Sequence, residues 1–401
     1  MQGDKKTENK EQALPCYIPL DGDKTLVFES RFESGNLSMA MKVTDEEYNL
    51  VLQNDINSKG NTQWFYFQVK NTTKDLNVKF NIVNFTKKDS LYNAGMKVLI
   101  FSEKENEKTQ LGWFREGTEI CYHENNIRRP GSSKCFYSLT FEYKFEYTGD
   151  TVYFAYCFPY TYSDLMQDLL VLESNPFVGS IMNRKQLCES IGGNRCELLT
   201  ITAPGDPDEI RKRKGVVLTA RVHPGETVGS WMMKGAIEFL TGQTKESDLL
   251  RKTYVFKIIP MLNPDGVIYG NYRCGLAGVD LNRRWKNPNK NLHPTIFACK
   301  RFIKSFAKER AIELICDMHG HSRQKSIFSY GCSIPETPEV TRTYPYILSK
   351  ISEYFHYPYC SFKMQKAKES TMRITMFKEI NCPLVYTLEA SFCGPEFVKF
   401  I

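Results

Sequence analysis

Four short clusters combine metal-ligating, acidic and cationic side chains. His223-Pro224-Gly225-Glu226 puts an imidazole and a carboxylate at i and i+3, which one helical turn or a tight loop brings side by side. Alone, this pattern also describes a strand-end histidine near a surface glutamate. Asp317-Met318-His319-Gly320-His321 lies where an apolar run stops. Two histidines and one carboxylate around an open fourth position are the ligand set of a catalytic zinc. The third cluster, Tyr269-Gly270-Asn271-Tyr272-Arg273 followed by Gly278-Val279-Asp280-Leu281-Asn282-Arg283-Arg284-Trp285, offers permanent cations and an amide donor. Guanidinium groups of this kind bind carboxylates bidentately. The fourth, Val385-Tyr386-Thr387-Leu388-Glu389-Ala390-Ser391-Phe392, sets a carboxylate at the end of an apolar run.

The elements that must carry these residues follow from periodicity. Apolar runs over Gly215 to Val222, Tyr254 to Leu262, Ile312 to Met318 and Leu384 to Leu388 read as buried strands, and Trp231 to Leu240 has helical spacing. Strands alternating with helices predict an α/β layer architecture, in which chemistry gathers where strands end. Cys316 falls inside such a strand and reads as a small core residue rather than a nucleophile. The run Arg211-Lys212-Arg213-Lys214, just before a strand, reads as an exposed loop. Residues 16 to 160 read differently. Val78, Phe80 and Ile82 interleave with Lys79 and Asn81, and Tyr137 to Phe145 alternates likewise. Turn residues separate such runs, predicting an antiparallel β-sandwich after a polar tail at 1–15.

At 401 residues the chain is long enough for two to three domains, and 41% hydrophobic with 13% aromatic residues excludes wholesale disorder. A net charge of +7 favours an acidic partner without implying nucleic acid. The 13 cysteines include no C-x-x-C pair, which predicts reduced thiols. With a polar amino terminus and no run of 18 apolar residues, the expectation is a soluble cytoplasmic protein without a membrane partner. No P-loop, G-x-G-x-x-G or G-x-S-x-G element stands out.

The order and spacing of the four clusters resemble the zinc metallocarboxypeptidases, and within them the cytosolic carboxypeptidases that act on glutamate-rich tails of tubulin. The segments 61–67, 90–96 and 158–165 look like that subfamily's β-domain. Ala220 to Glu226, Leu262 to Gly266 and Asp280 to Arg283 look like the shared catalytic core. The resemblance implies a two-domain chain: an N-terminal β-sandwich over 16–160, then an α/β/α carboxypeptidase-like domain with a mixed central sheet over 161–401. In relatives a further helix packs on that sheet, whereas this sequence stops at Ile401, 12 residues after Glu389.

Roles follow from the resemblance residue by residue. His223, Glu226 and His319 match the ligands of one Zn2+ per chain, with His321 the competing position. Asp280 matches the carboxylate that orients a ligand histidine. Glu389 matches the general base, and Arg273 the cation facing the oxyanion. Asn282 and Arg283 match the grip on the substrate's terminal carboxylate. Arg373, in the region that lines the side-chain pocket of relatives, would favour an acidic terminal residue. Digestive relatives carry a capping tyrosine near there, and no Tyr occurs between Lys363 and Lys378. The implied activity is removal of C-terminal or side-chain-linked glutamate from acidic tails such as polyglutamylated tubulin. Two other classes share these features: an inactive module that binds acidic tails, and an amidohydrolase of small acylated amino acids.

Overall fold

The computed structural model describes residues 17–396, so the expected tail at 1–15 and the last residues of the second domain lie outside the described residues. In the first half, period-two alternation buries one face of each strand. Val78, Phe80 and Ile82 of the strand Asn77–Phe85 are fully buried, as are Leu139 and Phe141 of Cys135–Lys144.

These strands form two five-stranded sheets around one aromatic-rich core. The first runs in the order Val27–Glu29, Tyr66–Lys70, Val152–Ala155, Val98–Ser102, Phe114–Glu116, all antiparallel. The second runs Leu37–Thr44, Glu47–Leu52, Asn77–Phe85, Cys135–Lys144, Thr118–Arg128. The expected antiparallel pairing fails at one place, because Glu47–Leu52 and Asn77–Phe85 are parallel. Between them the chain crosses to form Tyr66–Lys70 in the other sheet, and it returns in the same direction.

The second half is built on a seven-stranded mixed sheet in the order Met182–Glu189, Arg195–Ile201, Tyr254–Ile259, Lys214–Ala220, Ile312–His321, Val385–Ser391, Ile327–Tyr330. The four strands from Tyr254–Ile259 to Val385–Ser391 are parallel, and the outer pairings are antiparallel. A parallel strand is covered on both faces, so it reads as an unbroken apolar run. Val216 and Leu218 pack on one side with Met233 and Ile237 of the helix Val228–Thr241, while Val217 packs on the other with Ile296 and Ile303 of the helix Pro294–Glu309. The layers are therefore α/β/α.

The strand expected to run to Val222 stops at Ala220, because Arg221 takes a left-handed φ of 58°. The strand expected to stop at Met318 continues to His321. Arg211 and Lys212 close the short helix Pro207–Lys212 instead of forming a loop, and Arg213 is buried with its guanidinium on the Ala203 and Arg251 carbonyls. The domains share packing: Tyr272 and Phe392 of the second half are buried in the core of the first.

Candidate active site and metal centre

The loop that carries His223 and Glu226 begins at the break after Ala220. Buried Arg221 donates to the carbonyls of Pro224 (2.7 Å) and Tyr160 (2.8 Å) and to Ser230 Oγ (2.7 Å), which fixes the turn from strand to helix. Gly225 permits a close approach: a Cβ there would lie 2.7 Å from the Tyr272 ring and 3.0 Å from its carbonyl oxygen.

His223, Glu226 and His319, all buried, bring one ligand atom each within 4.8 Å of one another. His223 Nδ1 lies 2.9 Å from Glu226 Oε1, and His319 Nδ1 lies 2.9 Å from Glu226 Oε2. The two Nδ1 atoms are 3.2 Å apart. Each imidazole is held at its other nitrogen by a carboxylate, His223 Nε2 by Asp280 at 3.1 Å and His319 Nε2 by Asp317 at 2.7 Å. Carboxylates at Nε2 favour the Nε2–H tautomer and turn both Nδ1 lone pairs toward each other and toward Glu226. That arrangement requires a positive charge at its centre. A His2Glu set with both histidines braced from behind fits zinc.

Period two on the strand Ile312–His321 explains the second brace, since Asp317 and His319 share a face. Thr219, paired with Asp317 in the neighbouring strand, donates to its Oδ1 at 2.7 Å. Cys316 points to the opposite, apolar side, and burial pushes its thiol up to about 12. His321 stands apart from the set: its Nδ1 accepts the Gln324 N–H at 2.9 Å, and burial pushes it down to about 4.

Glu389 is the parallel-register partner of His319, 8% exposed at the base of the cleft. Burial, reinforced by the Glu226 and Asp317 carboxylates, outweighs the pull of the two histidines and raises it from 4.5 to about 7.

Asp280 joins the triad to the cations. Its Oδ2 accepts Arg273 Nε (2.8 Å) and Nη2 (2.7 Å), and its Oδ1 accepts the Asn282 N–H (2.8 Å) as well as meeting His223. Burial disfavours its charge, but His223, Arg273 and Arg283 prevail and hold its carboxyl well below the ordinary range. Arg273 keeps Nη1 without a partner among the described residues. Arg283 donates to the Asn282 carbonyl at 3.0 Å. Asn282 itself is buried, its Oδ1 accepting the Met372 N–H (3.0 Å) and its Nδ2 lying 3.5 Å from His319 Nε2. Arg373 is buried on the helix Met372–Glu379, with its guanidinium on the Gly331 carbonyl and 6.0 Å from the Tyr330 ring centre.

These groups share a cleft of about 630 Å³. Among the described residues its lining holds the cations Lys87, Lys88, Arg273, Arg283, Arg323, Lys363, Lys368 and Arg373 against three carboxylates, Asp89, Glu226 and Glu389. The sequence reading missed several members. Asp317 was legible from its spacing to His319; Lys87, Lys88 and Arg323 carry no local signal.

A two-layered β-domain followed by an α/β/α layer with a braced His2Glu triad defines a zinc metallocarboxypeptidase architecture. The comparisons agree. Residues 178–400 match the zinc carboxypeptidase family and residues 28–157 the cytosolic carboxypeptidase N-terminal domain. The chain belongs to the zinc carboxypeptidase family. It is 45% identical over 401 residues to cytosolic carboxypeptidase 3 of Mus musculus, covering 95% of this chain and 40% of the relative. To cytosolic carboxypeptidase 2 of Homo sapiens it is 45% identical over 396 residues, covering 98% and 43%. The chain thus spans about 40% of the length of such curated relatives. Among solved structures, a metallo-carboxypeptidase from Burkholderia cenocepacia aligns over 92% of this chain and 90% of its own with a TM-score of 0.73 and 21% identity. A metallo-carboxypeptidase from Pseudomonas aeruginosa in complex with (2-guanidinoethylmercapto)succinic acid gives 0.71 and 23%, covering 91% and 90%. At these identities the two structures bear on the fold alone.

Proposed function

We propose that this chain is a zinc carboxypeptidase that removes glutamate from acidic protein tails, including side-chain-linked glutamate on tubulin. The observation that carries the substrate class is the excess of cations lining the cleft around the His2Glu triad. We take residues 16–160 as the β-domain and 161–401 as the catalytic domain.

His223, Glu226 and His319 would hold a zinc ion, which would supply Lewis acidity for the scissile carbonyl and for a water molecule, whose pKa zinc can lower to about 7. Asp280 and Asp317 keep the two imidazoles in the ligating tautomer. Glu389, raised toward neutrality by burial, takes the proton from the attacking water and returns it to the leaving amine. Arg273, anchored on Asp280, turns its remaining guanidinium hydrogens to the developing oxyanion. Asn282 and Arg283, which both line the cleft, grip the terminal carboxylate. Arg373 and Lys368 receive the acidic side chain.

A cytoplasmic setting is supported by the relatives' names and by cysteines that, among the described residues, are all free. No helix among the described residues is long and apolar enough to cross a membrane. The test is glutamate release by zinc-replete protein from polyglutamylated tubulin and from Glu-ended against Leu-ended peptides, with Glu389→Gln as the blank. Equal release of Glu and Leu, or none of either, sinks the reading.

A further inference from the structure

Two thiols face each other in the hairpin of the strands Met182–Glu189 and Arg195–Ile201, at the edge of the seven-stranded sheet. None of the hairpin's residues lines the catalytic cleft. Gln186 pairs with Glu197, but the next residue, Leu187, is left over as a bulge, and Cys188 becomes the partner of Cys196. In unbroken register Leu187 would stand opposite Cys196, and Cys188 would turn to the other face of the sheet. The bulge is therefore what sets one thiol against the other. Facing residues of an antiparallel pair have Cα atoms about 4.5 or 5.5 Å apart, and both spacings lie within the roughly 4.4–6.8 Å that a disulfide spans. Among the described residues no other two cysteines are partners across a strand pair, and all are free thiols.

The two sulfurs are unequal. Cys196 is fully buried, with the Met261 carbonyl 3.5 Å from its Sγ. Cys188 is half-buried and opens on a cavity of about 510 Å³ that its strand shares with the helix Pro294–Glu309, and Lys290 and Arg301 bring positive charge to that lining. A hydrogen bond from the Cys196 thiol holds Cys188 below the ordinary thiol range, against burial and the Glu189 carboxylate, while the same bond and burial push Cys196 well above it. The thiolate is the nucleophilic form of cysteine, and a donor at the sulfur with cations nearby favours it. Cys188 is therefore the thiol poised to react, and Cys196 the one held directly behind it. Cys299 is close to both, but it lies on the helix rather than on a facing strand and is fully buried, which pushes its thiol well up.

We propose that Cys188 and Cys196 form a peroxide-reactive pair that closes into a reversible disulfide and clasps the hairpin at the base of its 190–194 loop. The proposal stands independently of the carboxypeptidase reading. The Cys188 thiolate attacks one oxygen of hydrogen peroxide: an S–O bond forms, the O–O bond breaks, and the departing hydroxide takes up the proton that Cys188 gave up. The Cys196 sulfur then attacks the Cys188 sulfur. An S–S bond forms, the S–O bond breaks, and the hydroxyl leaves with the Cys196 proton as a second water. Two thiols are oxidised to one disulfide while one peroxide is reduced to two waters, and a dithiol reverses the bond by exchange. In a reducing compartment such a bond is transient, which agrees with free thiols at rest. The clasp closes on a loop already anchored to the catalytic domain: Asp265, on the helix Pro264–Ile268, accepts Ser190 Oγ (2.5 Å), the Gly192 N–H (3.0 Å) and Asn194 Nδ2 (2.8 Å).

The test treats the reduced, zinc-replete full chain with equimolar hydrogen peroxide, alkylates the remaining thiols and maps the peptides by mass spectrometry. A Cys188–Cys196 cross-link is expected ahead of any other among the 13 cysteines, and dithiothreitol should remove it. In Cys196→Ser the reaction should stop at a sulfenic acid on Cys188, trapped by dimedone, and Cys188→Ser should leave Cys196 unoxidised. Oxidised wild type should melt several degrees above the reduced protein, because the cross-link restricts the unfolded chain, whereas peroxide-treated Cys196→Ser should show no rise. The mapping on wild type needs no variant, so a substitution that impairs folding does not blunt it. A first cross-link elsewhere, Cys188–Cys299 included, overturns the pair, as does full alkylation of Cys188 while other cysteines oxidise. An unchanged or lowered melting temperature in fully cross-linked protein overturns the clasp.

Discussion

The carboxylate of Asp55, in the β-domain, accepts the backbone N–H of Arg273, in the catalytic domain, at 2.7 Å across 218 residues of sequence. The same carboxylate takes the N–H groups of Tyr272 (2.6 Å) and Cys274 (2.7 Å). The loop is held from the same neighbourhood by Asn271, whose Oδ1 accepts the Ile56 N–H at 3.0 Å, and by Asn57, whose Nδ2 donates to the Leu276 carbonyl at 2.8 Å. One buried acid of the first domain therefore sets the backbone from which Arg273, the proposed oxyanion cation, projects.

Asp55→Ala strands three N–H donors, two of them buried. Each unmet donor costs on the order of 1–3 kcal/mol, part of which water recovers. We expect a loss of roughly 2–4 kcal/mol in denaturant unfolding and a kcat affected more than KM, because Arg273, the proposed oxyanion cation, is displaced while Arg283, the proposed grip on the terminal carboxylate, remains in place. Unchanged kcat in folded Asp55→Ala would show that Arg273 does not depend on this carboxylate.

Glu389→Gln removes the proposed general base and should lower kcat by about 10²–10⁴-fold with little change in substrate binding. Retention of more than a tenth of wild-type kcat would assign the base elsewhere.

The same substitution makes a pH prediction for stability in the metal-free protein. The Glu389 carboxyl holds its proton to about 7 when folded against 4.5 ordinarily, so unfolding between these values releases a proton. Stability therefore falls as pH rises through that window, by at most about 3 kcal/mol from this group. Chelated Glu389→Gln should match wild type near pH 4 and exceed its melting temperature near pH 8. A gap that does not widen with pH is inconsistent with a raised Glu389.

Chelation of zinc should abolish turnover and lower the melting temperature, and readdition should restore both. Metal at a thousandfold excess over its dissociation constant stabilises the folded state by about 4 kcal/mol. His319→Ala should lose the zinc-dependent rise in melting temperature. His321→Ala should keep it, because His321 lies outside the triad and is occupied by the Gln324 N–H.

Arg373→Gln should reduce the preference for Glu over Leu at the last residue by about tenfold or more, seen as a ratio of kcat/KM values. An unaltered ratio would move acidic-side-chain recognition to Lys368, which lines the same cleft.

The residues themselves determined much of this protein. Side-chain alternation and apolar run length are local properties, so the β-rich first half, the α/β second half and the strands that end at polar clusters were legible without coordinates. The His223–Glu226 spacing and the Asp317–His319 spacing are likewise local, set by one turn and by the period of one strand. Tertiary structure decided what depends on register and on packing between distant segments. His319 and His321 share a strand face, and only the arrangement of that strand against the 223–226 loop selects His319 for the triad. Asp55, Lys87 and Lys88 lie in a domain whose own sequence pattern speaks only of sandwich packing. Lys87 and Lys88 reach the cleft, and Asp55 the loop that carries Arg273, because Tyr272 and Phe392 bury themselves in that domain's core and bring the two surfaces together, and a contact spanning some two hundred residues leaves no periodic trace in the chain.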